Sequence, residues 1–256
     1  MKNLFLFFPQ WQGSGITSEI YDGAKLIYKK IKNKFNFAEV NVSLSKKLKI
    51  KNNILGYKEI SEQLKNCRTI IKKYNPDKIF TIGGDCGVEI APVSYLNKIY
   101  NKNLAVVWLD AHGDLNTPSS SSSKHFHGMP LRILLNSSLS KEQILFLGTR
   151  DLDKSETNYL RNKKIPIFNL NTVIKSIKHK KYKNVYIHLD LDVIDPKDFP
   201  YVKCPTKNGI SLKRLKALIK KLKENFNLAG GSILEFVPSG NKGVKIIRDL
   251  ANILFE

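Results

Sequence analysis

Short apolar runs alternate along the chain with longer segments whose apolar residues recur at helical spacing. The short runs predict buried strands at Leu4–Phe8, Glu39–Val42, Lys78–Ile82, Leu104–Leu109, Ile144–Gly148, Ile165–Phe168, Asn184–Leu189 and Ser232–Phe236. The longer segments predict helices at Thr17–Lys32, Tyr57–Lys73, Val88–Tyr100, Lys154–Asn162, Thr172–His179 and Ser211–Asn225. This alternation predicts an α/β fold, with a mostly parallel sheet of about eight strands and helices on both of its faces.

The strongest chemical motif, Asp110-Ala111-His112-Gly113-Asp114, directly follows the apolar run Leu104–Leu109. Its three polar side chains project to one side if the strand continues, and they cluster at the strand end if it stops. Two carboxylates and an imidazole in that position favour a metal site. A capped turn would explain one of the aspartates, but not all three polar groups.

A second motif, His188-Leu189-Asp190-Leu191-Asp192-Val193-Ile194-Asp195-Pro196, also ends an apolar strand. Asp190 and Asp192 share one face, where two like charges repel each other and a bound cation would compensate. Asp195 precedes a proline, which favours a role in shaping the turn over metal binding.

Two weaker signals follow other strands. In Gly83-Gly84-Asp85-Cys86 the glycines permit a tight turn, and Cys86 is either a sulfur ligand or an inert buried thiol. Glu235 follows the last predicted strand and would be unremarkable by itself. Because ligands gather at the carboxyl ends of parallel strands, we expect all four motifs to meet in one site.

The 256 residues carry a net charge of +21, which indicates either a nucleic-acid binder or a lysine-rich solvated surface. The lysines are scattered, and no RNA-binding or zinc-finger signature accompanies them, so nucleic acid is not the expected partner. The three cysteines are widely spaced, which favours a reducing cytoplasm over a disulfide framework. No apolar run reaches the length of a membrane span.

Together the motifs resemble the ureohydrolase family, which comprises arginase, agmatinase and formiminoglutamase. The resemblance extends from about Pro9 to Pro238 and rests on D-A-H-x-D followed by D-x-D-x-x-D-P. It implies one arginase-like domain over residues 1–256 and a centre of two manganese ions. The implied metal ligands are Cys86, Asp110, His112, Asp114, Asp190 and Asp192, with Asp110 and Asp190 bridging the ions.

Cys86 departs from the family pattern, which usually has histidine at this position. A thiolate is a softer ligand than an imidazole and suits zinc better than manganese. Zinc or another divalent metal is therefore an alternative to manganese. Some members of the family carry this cysteine, among them enzymes that process N-hydroxyarginine.

The resemblance also implies a mechanism, in which a hydroxide held between the metal ions attacks the guanidino carbon. Asp114 would accept the proton of the hydroxide, and Glu235 would orient the guanidinium group. His127, in His127-Gly128-Met129-Pro130, would pass a proton to the leaving amine. By itself His127 would be interpreted as a core histidine.

Five consecutive serines, Ser119 to Ser123, form either a flexible linker or a loop of the site, and we favour the loop. By family spacing, Asn116 and Ser123 would bind the α-carboxylate of a substrate. Asp153 and Glu156 would receive its α-amino group, and His125 is a further expected substrate-binding residue.

These residues favour an amino acid substrate, arginine or N-hydroxyarginine, over agmatine or a formimino compound. The products would be ornithine plus urea or hydroxyurea. A metal-poor homologue that only binds a ligand or partner is the non-enzymatic alternative. A long C-terminal tail of the kind that joins arginase oligomers is missing, which favours a monomer.

Overall fold

A computed structural model describes residues 1–15 and 17–256. The helices are α1 (Glu19–Ile31), α2 (Tyr57–Tyr74), α3 (Ile90–Ile99), α4 (Pro130–Ser137), α5 (Lys154–Lys163), α6 (Val173–His179), α7 (Leu212–Asn225) and α8 (Val244–Phe255). The strands are β1 (Asn3–Phe8), β2 (Phe37–Glu39), β3 (Ile50–Lys51), β4 (Ile54–Leu55), β5 (Lys78–Gly83), β6 (Leu104–Leu109), β7 (Ile144–Leu147), β8 (Ile167–Phe168), β9 (Asn184–Leu189) and β10 (Asn227–Ile233).

Among the described residues, eight strands form one sheet in the order β2-β1-β5-β10-β9-β6-β7-β8. Every pair of neighbours in this sheet is parallel. The remaining two strands, β3 and β4, form a small antiparallel pair. The predicted parallel α/β sheet is therefore confirmed.

Alternate residues of the strands pack into two separate hydrophobic cores, one on each face of the sheet. In β6, Leu104, Val106 and Trp108 pack on one face, with α2, α3, α4 and α5. Ala105, Val107 and Leu109 pack on the other face, with α1, α6, α7 and α8. Successive side chains of a strand point to opposite faces, so a strand covered on both sides is apolar throughout, as β6 is. The predicted three-layer arrangement is confirmed.

Some predicted bounds were wrong. The strand predicted at Glu39–Val42 is β2, which ends at Glu39, and only the last two residues of Ile165–Phe168 form a strand. Helices α4 and α8 were not predicted. The buried positions of α8, among them Val244, Ile247, Leu250 and Leu254, have helical spacing, so the sequence does carry the signal for this helix.

The largest correction concerns the strand predicted at Ser232–Phe236. Strand β10 begins five residues earlier, at Asn227, and ends at Ile233. Its glycines allow the strands to approach closely, because a Cβ atom at Gly230 would lie 1.9 Å from the carbonyl oxygen of Ile79. Across the described chain, we find no helix with the length and apolar character that a membrane span requires.

Candidate metal centre

The four strands that precede the chemical motifs, β5, β10, β9 and β6, are consecutive neighbours in the sheet. They are parallel, so their carboxyl ends lie at the same edge. This order places the residues after each strand, Cys86, Glu235, Asp190 and Asp110, next to one another. The sheet topology therefore assembles one site from four distant parts of the chain.

A cavity of about 270 Å³ opens at this edge. Its walls include all of the predicted site residues except Asp110: Cys86, His112, Asp114, Asn116, Ser123, His125, His127, Asp153, Glu156, Asp190, Asp192 and Glu235. Asp110 is fully buried, and its carboxylate contacts the ring of His112. The serine segment is part of the wall through Ser121, Ser122 and Ser123, as the loop interpretation expected.

One side of the site is formed by Asp110, His112 and Asp192. The Nδ1 atom of His112 lies 2.9 Å from Oδ2 of Asp192 and 3.5 Å from Oδ1 of Asp110. The backbone supports this group, because Ala111 N–H donates to Asp192 and His112 N–H donates to Asp110. Their candidate ligand atoms lie within 4.8 Å of one another, close enough to share one ion.

The other side contains Cys86, Asp114, Asp190 and Glu235. The thiol of Cys86 donates to Oδ2 of Asp190 at 3.3 Å, while Oδ1 of Asp190 accepts the N–H of Asp192 at 2.8 Å. Cys86, Asp190 and Glu235 form a second group of candidate ligand atoms within 4.8 Å. Asp190 thus lies between the two sides of the site.

Asp114 and Glu235 have left-handed backbones, with φ angles of 52° and 63°. Residues other than glycine adopt this conformation at a cost, and such strain is concentrated at functional sites. Oδ2 of Asp114 and Oε1 of Glu235 are buried and accept no aligned hydrogen bond, although Nδ1 of His127 lies 3.4 Å from Oε1 of Glu235. Buried polar atoms of this kind normally have a partner, so these two oxygens are free to bind a ligand.

Burial and neighbouring negative charges raise the pKa values of Asp114 and Asp190 well above the ordinary value. Burial, followed by the charge of Asp110, raises the pKa of Asp192 to about 6. Burial also opposes ionisation of Asp110, but His112 and His188 outweigh it and lower the pKa of that carboxyl. The group as a whole resists carrying its full negative charge, and divalent cations would relieve that repulsion.

The donor set fits divalent metal ions. Carboxylates suit manganese, imidazole suits zinc and several other metals, and a thiolate favours zinc. Burial and nearby carboxylates raise the pKa of Cys86, so its thiol needs a cation to release its proton. The free oxygen of Asp114 faces the same cavity as these donors.

Another part of the cavity wall, which we call the far wall, contains Asn116, Asp153 and Glu156, which are not among the candidate metal ligands. The amide of Asn116 donates to Oδ2 of Asp153 at 2.8 Å, and its oxygen accepts from Ser120 and Ser155. Both oxygens of Glu156 accept backbone N–H groups, from Leu115 and Asp153. Glu156 therefore also holds the wall in place, a contribution that the sequence did not suggest.

Two other carboxylates of the motifs, Asp85 and Asp195, accept backbone N–H groups and do not line the cavity. Asp85 accepts from Gln10 and from the N–H groups of Gly13 and Gly87, and it does not line the cavity. Asp195 accepts the N–H groups of Lys197 and Gly209. The interpretation of Asp195 as a turn residue agrees with this geometry.

The sequence-based selection missed His188 and Glu89. His188 is fully buried, and its Nε2 atom lies 3.4 Å from Oδ2 of Asp110. Its Nδ1 atom lies 3.0 Å from Glu89, which is also fully buried. A signal was present, because His188 precedes Asp190 by two residues and therefore points to the same face of β9.

Comparisons with known proteins agree with this fold. Residues 17–256 match the family described as the Arginase family. An arginase of Staphylococcus aureus (strain COL) is 31% identical over 204 residues, which are 71% of this chain and 64% of the relative. The match thus spans less than two thirds of that relative's length.

Two solved structures share the fold. The arginase of Entamoeba histolytica, solved with L-ornithine, has a TM-score of 0.85 at 23% identity and covers 99% of this chain and 98% of its own. The formimidoylglutamase of Bacillus subtilis has a TM-score of 0.75 at 16% identity and covers 99% of this chain and 85% of its own. These two structures show the fold. The match of the family model to residues 17–256, together with the relative that is 31% identical, shows that the chain belongs to the arginase family.

Proposed function

We propose that the chain is a metal-dependent hydrolase that cleaves the guanidino group of arginine or of a close analogue such as N-hydroxyarginine. The products would be ornithine and either urea or hydroxyurea. The observation that carries this proposal is that His112, Asp114, Asp190 and Asp192 line one cavity, with Asp110 in contact with His112. Membership of the arginase family supports the same reaction class.

Two divalent cations would be held with Asp110 and Asp190 between them. His112 and Asp192 would complete one position, and Asp114 and Cys86 the other. When bound, such a pair of ions lowers the pKa of water enough to supply a nucleophile near neutral pH. Manganese follows from the family resemblance, whereas the thiol of Cys86 favours zinc at its own position.

The surrounding residues would position the substrate and move protons. The free Oδ2 of Asp114 is available to accept a proton from the attacking water. Glu235, whose Oε1 accepts no aligned hydrogen bond, would bind the guanidinium group and fix its orientation. Burial by itself lowers the pKa of His127, but Glu235 outweighs it and raises that pKa, which favours the protonated form that would donate a proton to the leaving amine.

The far wall favours an amino acid over agmatine. Asp153 would bind the α-ammonium group, which arginine and agmatine both have. Ser123 is a neutral donor in the same wall and would bind the α-carboxylate, which agmatine does not have. His125 and Lys203 also line the cavity, and Lys203 would add positive charge that favours a substrate with a carboxylate.

A substrate panel tests the proposal. Manganese-loaded and zinc-loaded protein is assayed with arginine, N-hydroxyarginine, agmatine and formiminoglutamate, by measuring urea, hydroxyurea or the released amide. We expect one of the two arginine compounds to have the highest kcat/KM, with no turnover by Asp190→Asn. Preference for agmatine or formiminoglutamate would replace the substrate assignment. Turnover of none of the four would favour a non-enzymatic binding protein.

A further inference from the structure

We propose that His188 is itself a metal ligand, whose Nε2 atom binds the ion on the Cys86 side of the centre. This ion would then have sulfur, nitrogen and oxygen donors, the environment of a zinc site more than of a manganese site. The proposal deepens the proposed function, because it assumes that the cavity holds metal ions.

The position of the His188 ring fits this role. Its Nε2 atom lies 3.4 Å from Oδ2 of Asp110 and 3.9 Å from Sγ of Cys86. One ligand atom from each of Cys86, Asp110, Asp114 and His188 forms a group within 4.8 Å. All four residues are buried.

These separations suit one shared ion. Zinc binds sulfur at about 2.3 Å and nitrogen or oxygen at about 2.1 Å. A single ion can therefore bridge a sulfur and a nitrogen up to about 4.4 Å apart, and a nitrogen and an oxygen up to about 4.2 Å apart. Both measured separations from Nε2 lie inside these limits.

The opposite edge of the ring has the partner expected of a metal-binding histidine. Nδ1 of His188 lies 3.0 Å from Oε1 of Glu89. Glu89 in turn accepts from the hydroxyl of Tyr186 at 2.7 Å and from Ser232. A carboxylate that accepts from one ring nitrogen fixes the tautomer and leaves the other nitrogen free to bind metal.

Trp108 fixes the plane of the ring. The two rings stack with centroids 3.6 Å apart and an angle of 11° between their planes. Strands β6 and β9 pair Trp108 directly with His188, so the stack is set by the register of the sheet. The imidazole is thus oriented before any ion binds.

The alternative is a structural ion pair between a charged His188 and its two carboxylates. Such a pair would satisfy Asp110 and Glu89, but it provides nothing for Oδ2 of Asp114, which is buried without a donor in the same group. An ion ligated by His188 would satisfy Asp114 and would also take up the thiolate of Cys86. Ligation therefore accounts for more of the site than the ion pair does.

Cadmium NMR tests the proposal without an activity assay. The full-length chain is labelled with ¹⁵N-histidine and loaded with ¹¹³Cd²⁺, a substitute for zinc whose one-bond coupling to ¹⁵N identifies bound ring nitrogens. We expect two coupled imidazoles, the Nδ1 of His112 and the Nε2 of His188. His188→Gln should remove only the second coupling, and His179→Gln, on the exposed end of α6, should remove neither.

The unaltered protein gives an answer even if the His188 variant does not fold. A single coupled imidazole, or a second coupling that His127→Gln removes, would overturn the proposal. Glu89, the positioning residue, has its own test. Glu89→Gln should lower the affinity for one of the two cadmium ions by about 10- to 100-fold. Equal affinities in this variant and the unaltered chain would also count against the proposal.

The outcome is independent of the proposed reaction. Two coupled imidazoles in a protein that turns over none of the four substrates would support the ligand and reject the function. One coupled imidazole in an active hydrolase would do the reverse.

Discussion

The Nδ1 atom of His127 lies 3.4 Å from Oε1 of Glu235, on the wall of the cavity that also holds the acidic cluster. The two residues come from distant parts of the chain: His127 lies in a short 3-10 helix, Phe126–Gly128, and Glu235 follows the end of β10 by two residues. Oε1 of Glu235 has no aligned donor. Burial by itself lowers the pKa of His127, but the interaction with Glu235 outweighs burial and raises it. Under the proposed function, this pair would link the orientation of the substrate to proton delivery.

The first prediction concerns this pair. His127→Asn and Glu235→Gln should each lower kcat by at least about 100-fold, the usual contribution of a positioned proton donor. The double variant should be little worse than the poorer single variant, because groups that act as a unit do not add. Steady-state kinetics of the three variants provide the measurement, with His179→Asn, on the exposed end of α6, as the control. Independent, multiplicative losses would show that the two side chains do not work together.

A second prediction concerns Asp190. Asp190→Asn should bind fewer than two metal ions per chain and lose turnover, as measured by elemental analysis and product release. The metal-free variant should be at least as stable as the metal-free parent at pH 8, because the pKa of Asp190 is raised by burial and by Asp192 and Asp110. Thermal unfolding of both metal-free chains tests this. A clear loss of stability would mean that Asp190 is mainly a structural residue.

A third prediction concerns removal of metal. Chelation should lower the melting temperature, and either manganese or zinc should restore it. An ion present at 100 times its Kd stabilises the folded state by about 2.7 kcal/mol. Calorimetry with increasing metal provides the measurement, and chelated protein to which no metal is returned serves as the control. No shift with manganese or zinc would contradict a metal site in the folded chain.

A fourth prediction concerns the head group of the substrate. Ser123→Ala should raise KM for arginine several-fold and leave KM for agmatine unchanged, because only arginine has a carboxylate for Ser123 to bind. Ser122→Ala, another change in the cavity wall, is the matched control. If Ser123→Ala affects both substrates equally, the hydroxyl does not recognise the carboxylate.

A fifth prediction uses the pH dependence of stability. Backbone N–H groups, first that of Lys197, lower the pKa of Asp195 below its ordinary value of 3.8. A depressed pKa means that the ionised group stabilises the fold above about pH 4 and that this contribution disappears as the pH falls further. Asp195→Asn should therefore be less stable than the parent at pH 7, and the difference should shrink toward pH 3.

Unfolding curves of both chains across this range provide the test for Asp195. Asp22→Asn, on the exposed face of α1, is measured in parallel as the same substitution at an exposed position. A difference that stays constant with pH would mean that the charge of Asp195 is not the source of its effect.

The sequence by itself determined the layers of the fold and most of the acidic cluster. Apolar runs such as Leu104–Leu109 can only be buried between two helical layers, so they specify their own strand. The D-A-H-x-D segment predicts convergence for a similar local reason, since polar groups at the end of a buried strand must face a shared edge. The local pattern predicted the wrong bounds for β10, whose glycines allow it to pack closely against its neighbours.

Only the tertiary structure decided which residues face each other across the site. Strand order places β9 between β10 and β6, and that order brings His188 to Asp110 and Trp108, and to Cys86 at the end of β5. It also decided that Asp85 supports backbone while Asp190 faces the cavity, although both follow buried strands. Contacts between strands depend on strand pairing and register across the whole sheet. The local sequence of each segment specifies neither the pairing nor the register.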